Sequence, residues 1–360
     1  MKPSECIEAV ETAVTAGEVP FLWGTWGSGK SESVEDLAKR LGRKLYQIRL
    51  SLIDPVDLRG CPVVVTDEEG NHLTKWGYPS FFPTEPGSMV FFDEMNTGLP
   101  QVQAACYQLI LDKACGEHKL PPDTAMVCAG NREADGGITH KMPRPLQNRL
   151  VHLDWELDVD DWVAWALANG IRTDIIAFIR FRRILLHQDW IDQDANREAI
   201  SQGKKPEKKS EDGAKKGKPS PRTWVKLSHL MDACETKGAS SSVEFGLAVG
   251  CVGEGPGTEY LSYRRIASSL VTPEQIIMAP ETAPIPDQQD KSGPAATYAI
   301  VTALATKATD KTIERVMRYA DRLPADFQVV LVDDILKKQP GLINTTCMIA
   351  WASRNSDVVR

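Results

Sequence analysis

Gly24-Thr25-Trp26-Gly27-Ser28-Gly29-Lys30-Ser31 is the stretch on which the reading of this chain turns. It fits G-x-x-x-x-G-K-[ST], a spacing that cradles phosphates when a strand delivers it and a helix follows. Both are expected here. Val19-Pro20-Phe21-Leu22-Trp23 is a short apolar run ending at the glycine, and from Ser31 to Leu41 the residues Val34, Leu37, Ala38 and Leu41 recur at helical spacing. Lys44 to Leu50 reads as the next strand, and residues 5 to 16 as a helix before the first. Strand, glycine loop, helix and strand open a parallel α/β sheet. Phosphate oxygens need several backbone N–H donors converging on a helix N-terminus, and Gly27 and Gly29 keep side chains out of that approach. Lys30 then reaches the β- and γ-phosphates and Ser31 ligates Mg²⁺. Trp26 is bulky for such a loop and reads as a stacking or packing residue.

Met89-Val90-Phe91-Phe92-Asp93-Glu94, about 60 residues further on, is an apolar strand ending in two carboxylates. Adjacent acids after a strand are often no more than a helix N-cap. At this distance from a phosphate loop they also suit a pair in which Asp93 holds the metal and Glu94 polarises the attacking water. Gln101 to Leu111 reads as a helix, Ala125 to Gly130 as a strand and Leu150 to Leu153 as another; 63 to 76 reads as an inserted hairpin turning at Gly70-Asn71. Beyond Trp155 the pattern becomes helical, at Asp160 to Asn169, Asp174 to His187, Thr223 to Thr236 and Thr297 to Thr306. The aromatic stripe Trp155, Trp162 and Trp165 is near-helical at its second step and reads as core of this helical part rather than a base-stacking platform. Residues 203 to 219, GKKPEKKSEDGAKKGKP, carry seven lysines and no apolar side chain larger than alanine; a polybasic contact for nucleic acid is the sharper reading, but Glu207, Glu211 and Asp212 interrupt the charge and favour a solvated, mobile loop. Three prolines in Pro280 to Pro286 make a connector to a last helical block near 293 to 353.

Composition narrows the classes. Of 360 residues, 42% are hydrophobic and 25% charged, an ordinary globular balance with room for two or three cores. Forty-two Lys+Arg against 49 Asp+Glu leave a net charge of −7, which lacks the positive field that non-specific phosphate-backbone binding requires. Eight dispersed cysteines with no two-residue spacing read as buried thiols of a reducing compartment rather than a zinc or redox site. Residues 1 to 6 lack the blocks of a signal peptide, and no run of about 18 apolar residues is present, so the expected location is cytoplasmic with no membrane contact. Six scattered histidines include no H-E-x-x-H, and G-x-S-x-G is absent, which counts against zinc and serine hydrolases.

Three further segments carry a family resemblance: Asp54-Pro55-Val56-Asp57-Leu58-Arg59-Gly60-Cys61-Pro62, the acid motif Asp93-Glu94-Met95-Asn96, and Ala129-Gly130-Asn131 at a strand end. Together with the phosphate loop they resemble the MoxR-type AAA+ ATPases over roughly residues 15 to 155. The resemblance implies an α/β P-loop AAA+ domain at 1–155 and an α-helical lid at 156–278, while the C-terminal helical segment at 290–360 is read from residue pattern alone. It implies ATP and Mg²⁺ as cofactors, with Gly24, Thr25, Trp26, Gly27, Ser28, Gly29, Lys30, Ser31, Asp93 and Arg222 binding nucleotide and Ser31 and Asp93 serving the metal. Asn131 matches the polar sensor beside the γ-phosphate, a turn-forming asparagine being the plain alternative. Met142 to Leu150 matches the segment ending in an arginine finger, so Arg149, with Arg144 in reserve, is expected to reach a neighbouring subunit's nucleotide; a surface ion pair is the plain alternative for each. Ser220-Pro221-Arg222 resembles the lid arginine, though Pro221 also suits a helix start.

The family likeness also implies a homo-oligomeric ring, a hexamer, remodelling a protein client with a von Willebrand factor A-type domain, with the insertions at 63 to 76 and 116 to 121 facing that client. Two features depart from the pattern: Arg132 stands where a proline usually follows the sensor asparagine, and neither the lysine-rich stretch nor the block beyond residue 290 finds a match. The rival readings are a nucleic-acid motor or loader on the same core and a slow nucleotide-switched scaffold.

Overall fold

The computed structural model describes residues 1–132, 139–193, 217–290 and 292–355. The chain divides into two compact units, Met1–Asp158 and Val159–Arg360.

The first unit is built on a five-stranded sheet of β1 (Pro20–Trp23), β2 (Leu45–Arg49), β5 (Met89–Asp93), β8 (Ala125–Gly130) and β9 (Val151–Asp154), in the order β2-β5-β8-β1-β9. Every pairing is parallel. A parallel sheet is covered on both faces, so its central strands are continuous apolar runs: β5 is Met-Val-Phe-Phe and β8 is buried throughout. Side chains alternate between the faces. Phe21, Val90, Phe92, Met126 and Cys128 enter one core with α4 (Pro100–Asp112), which contributes Val102, Cys106 and Leu109. Leu22, Met89, Phe91 and Val127 enter the other, against Cys6 and Val10 of α1 (Pro3–Thr15) and Val34 and Leu37 of α2 (Lys30–Arg40).

Between β2 and β5 lie a short helix, α3 (Pro55–Arg59), and the antiparallel hairpin β3–β4 (Pro62–Thr66 and His72–Trp76). Its turn is organised by Asp67, which accepts from the backbone N–H groups of Glu69 and Asn71 and is held below the usual carboxylate range by those Asn71 bonds. The segment at 116–121 forms part of a smaller hairpin, β6–β7 (Ala114–Cys115 and His118–Lys119), turning at Gly116 with φ +59°.

The described residues of the second unit are helical, as expected from periodicity. It includes α6 (Val159–Ala168), α7 (Thr173–Phe181) and the helices Pro221–Lys237, Ser241–Val252, Glu254–Ser268, Gly293–Thr306 and Ala325–Lys338. One core gathers Phe178, Trp224 and Tyr260, and another Val316, Tyr319, Leu331 and Trp351. Arg180 and Asp334, 8% and 1% exposed, form a bidentate pair between α7 and Ala325–Lys338, with Thr302 accepting from the same guanidinium. Both stretches read from sequence as lid and C-terminal block fall in this unit.

The structure corrects four expectations. The helix expected over Asp174 to His187 ends at Phe181 and gives way to a 3-10 turn at Arg183–Leu186. Helices Ser241–Val252 and Glu254–Ser268 were not anticipated; Gly246, Gly250 and Gly253 blur the periodicity, and only Ala248 and Val252 of the first are buried. Trp155 belongs to the first unit, not to the helical core with Trp162 and Trp165. The cysteines are free thiols, but Cys61 is exposed and Cys251 and Cys347 only half-buried. Residues 203 to 216 of the lysine-rich stretch lie outside the described residues. Among the described residues no helix is long and apolar enough to cross a membrane.

Candidate functional site

The C-terminal ends of β1, β8 and β5 stand side by side, with β8 in the middle, and each carries one of the motifs singled out in the sequence. The phosphate loop leaves β1 at Gly24, whose N–H donates to Gly130 O at 3.2 Å and ties the loop start to the end of β8. Gly27 and Gly29 have φ of +65° and +92°, the left-handed region where a side chain is strained, and Gly29 is the N-cap of α2. Those two signs turn successive backbone N–H groups towards the helix N-terminus, where an anion is favoured. Gly24 is glycine for a different reason. A Cβ there would stand 2.9 Å from Trp155 Cβ and 3.0 Å from Trp155 O.

Lys30 is only 8% exposed and its ammonium is held by Gly24 O at 2.7 Å and Thr25 O at 2.8 Å, with Asn131 Oδ1 at 3.5 Å. A buried cation needs such partners, and these point it between the loop and the end of β8. Ser28 Oγ donates to Thr25 O at 2.7 Å, and the Trp155 indole N–H donates to Ser28 O at 3.3 Å. Trp155 therefore touches the loop at its start and near its apex.

Ser31 Oγ donates to Asp93 Oδ2 at 2.9 Å, and Gln47 Nε2 donates to the same oxygen at 3.1 Å. The other Asp93 oxygen accepts from Glu94 N at 2.9 Å. A hydroxyl and a carboxylate are hard donors of the kind Mg²⁺ takes, and oxygens 2.9 Å apart match adjacent ligands of a small octahedral cation, about 3 Å at metal–oxygen distances of about 2.1 Å. Ser31 and Asp93 thus fit Mg²⁺ together.

Glu94 has φ +53°, one of the described non-glycine residues in the left-handed region. That conformation costs a residue with a Cβ about 1–2 kcal/mol, and such strain concentrates at functional positions. The Glu94 carboxylate Oε2 accepts from Ser51 Oγ at 2.6 Å. The peptide of Asn131 is gripped by the side chain of Asn96, whose Nδ2 donates to Asn131 O at 2.6 Å and whose Oδ1 accepts from Asn131 N at 3.1 Å. Asn96 is 2% exposed and comes so close that a Cβ on Gly130 would meet its Oδ1 at 2.4 Å. Ser51, Gln47 and Asn96 escaped the sequence reading as site residues. Asn96 alone left a signal, as the last residue of the quoted acid motif.

Within the first unit, neither Arg149 nor Arg144 is seen to bond to this cluster among the described residues. Arg149 follows the short helix α5 (Arg144–Gln147); its guanidinium donates to Pro145 O at 2.8 Å and lies over the Tyr107 ring at 4.0 Å. Arg144 is exposed, and no side-chain partner is seen for it among the described residues. Arg222, also exposed, is in the second unit near the start of Pro221–Lys237, where Ser220 caps the helix by accepting from Thr223 N at 3.2 Å. Arg132 donates to Trp155 O at 3.4 Å and pairs with Asp154 at 3.5 Å. Trp26 is half-buried in the loop.

No protein-family profile matches the chain and no curated protein does. Solved structures with some likeness include a candidate ATPase from Cytophaga hutchinsonii, 22% identical over 43% of this chain and 46% of that one, at a TM-score of 0.31. The Holliday junction branch migration motor RuvB of Thermotoga maritima is 15% identical over 89% of this chain and 86% of its own, at 0.37. NtrX from Brucella abortus in complex with ADP is 13% identical over 74% and 67%, at 0.33. This chain thus spans less than half the length of the Cytophaga protein. At such scores these likenesses carry no weight; the P-loop parallel-sheet fold rests on the strand order and the loop geometry themselves.

Proposed function

We propose that this chain is a Mg²⁺-dependent ATPase of the AAA+ type, of MoxR-like character, that works as a homo-oligomeric ring on a protein client. The observation that carries the reading is the convergence of Lys30, Ser31, Asp93, Glu94 and Asn131 at three adjacent strand ends. In this reading the loop N–H groups of residues 24 to 31 take the phosphates, and Lys30 moves from its own loop carbonyls to the β- and γ-phosphate oxygens. Ser31 and Asp93 would hold Mg²⁺, which would supply positive charge against the phosphates. Glu94 polarises the attacking water, for which it must leave Ser51, and Asn131 orients that water beside the γ-phosphate.

Arg149, or Arg144 in reserve, serves a neighbouring subunit's nucleotide, and Arg222 contacts the nucleotide from the helical unit. Support for the trans role is that neither Arg149 nor Arg144 bonds to the cluster of its own subunit. A site completed by a neighbour is satisfied everywhere only in a closed ring, here a hexamer. The client is a protein with a von Willebrand factor A-type domain, by the resemblance of residues 15 to 155, and the protein acts in the cytoplasm. Exposed Val63, Val64 and Leu73 on the hairpin support a protein-facing surface there.

The test is ATPase rate against protein concentration for wild type, Glu94→Gln and Arg149→Ala, with mass measured with and without ATP. Expected are activity that rises with assembly, its loss in both variants and retained ATP binding by Arg149→Ala. Concentration-independent turnover by a monomer indifferent to Arg149 overturns the ring, and stimulation by DNA or RNA without a protein client favours a nucleic-acid motor.

A further inference from the structure

His152 lies on β9, in register with Phe21 of β1. Its two ring nitrogens have different partners. Nδ1 is 2.8 Å from Trp23 Nε1, and Nε2 is 2.8 Å from Gln147 O. An indole N–H can only donate, so Nδ1 is the acceptor, the proton sits on Nε2, and Nε2–H donates to the Gln147 carbonyl. The imidazole is thereby fixed as one neutral tautomer and stacks on Trp23 at 6.0 Å with an interplanar angle of 23°.

The two partners matter more than the bonds. Trp23 is the last residue of β1, immediately before Gly24 of the phosphate loop. Gln147 ends α5, two residues before Arg149, and its carbonyl also accepts from Leu150 N at 3.2 Å. Its side chain donates to Met142 O at 3.1 Å, so Gln147 holds both ends of the segment 142–150. His152 therefore joins the strand that delivers the phosphate loop to the segment that carries the arginines. Among the described residues, Arg149 itself is steered by Pro145 O and the Tyr107 face, contacts that leave its approach to depend on where the segment sits.

We propose that His152 is a positioning residue for Arg149, setting the arginine segment against β1 so that the guanidinium is delivered to the neighbouring subunit's nucleotide. This rests on the shared-site reading above, and the experiment separates the two. Full-length Glu94→Gln subunits, which cannot hydrolyse but keep Arg149, are mixed with Arg149→Ala subunits, which keep their own site but cannot supply the arginine. Restored ATPase activity in the mixture measures delivery of Arg149 across the interface. His152→Leu placed in the Glu94→Gln subunit is expected to lower that restored kcat tenfold or more with KM for ATP unchanged. The same substitution in the Arg149→Ala subunit is expected to leave the restored rate within twofold.

His152→Gln, which keeps an acceptor and a donor, is expected to recover most of the rate, and Trp23→Phe in the Glu94→Gln subunit to reproduce part of the loss. Ring mass and thermal melting of each variant check that assembly persists; a variant that fails to assemble is judged through His152→Gln and Trp23→Phe. If the loss follows His152→Leu in the Arg149→Ala subunit, or His152→Gln is as impaired as His152→Leu, the positioning role is overturned. If no activity returns on mixing the two parent variants, the shared site itself fails and the proposal with it.

Discussion

The hydroxyl of Ser51 donates to Oε2 of Glu94 at 2.6 Å, so the candidate water-polarising carboxylate is engaged by a residue just past the end of the neighbouring strand β2. A hydrogen bond to a charged group is worth about 1.5–3 kcal/mol. In the proposed mechanism, breaking it is part of bringing Glu94 into use. Ser51→Ala removes that restraint, and the expected outcome is a basal kcat raised roughly threefold to tenfold with KM for ATP unchanged, in steady-state assays. A fall in kcat instead means that Ser51 orients Glu94 for the water.

Asn96 pairs with both polar atoms of the Asn131 peptide while 2% exposed. Asn96→Ala leaves a buried N–H and C=O without partners, a cost of about 1–3 kcal/mol. The melting temperature is expected to fall, and ATP turnover to drop at least tenfold as Asn131 loses its aim on the Lys30 side, while nucleotide binding persists. Turnover at the wild-type rate in a destabilised Asn96→Ala protein would assign the pair to stability only.

Gly24→Ala places a methyl against Trp155, with contacts of 2.9 and 3.0 Å. Overpacking of this order costs about 1–3 kcal/mol, and the strain falls on the first turn of the phosphate loop. ATP affinity by titration calorimetry is expected to drop about tenfold or more. The double variant Gly24→Ala/Trp155→Ala has room for the methyl, so its defect should be smaller than the sum of the two single ones; simple addition would show that the two residues are not coupled.

Arg180 and Asp334 satisfy one another inside the second unit. Asp334→Asn strips the countercharge from a guanidinium that is 8% exposed, and breaking a buried pair this way costs about 3–5 kcal/mol. Chemical denaturation should show that loss. Replacing both, as Arg180→Met/Asp334→Leu, is expected to restore most of it because no charge is left buried alone.

Much of this was legible in the residues. The phosphate loop, the Asp93-Glu94 pair and Asn131 are contiguous motifs, each short enough for its geometry to follow from local backbone chemistry. The apolar runs of β5 and β8 announce buried parallel strands because both faces of such strands must be covered. What the linear chain cannot display is partnership across it. Ser51, Gln47 and Asn96 are ordinary polar residues until strand order brings β2 and β5 together and sets the acid motif against the end of β8. Trp155 departs from its expected place for the same reason: it forms a stripe with Trp162 and Trp165 in the sequence, yet parallel pairing of β9 with β1 carries it onto Gly24. The sequence by itself determined the motifs and the alternating layers, since these depend on residue type and near-neighbour spacing. Only the tertiary structure decided which side chains hold Glu94, Asn131 and Arg149, because hydrogen bonds between strand ends depend on sheet order and register.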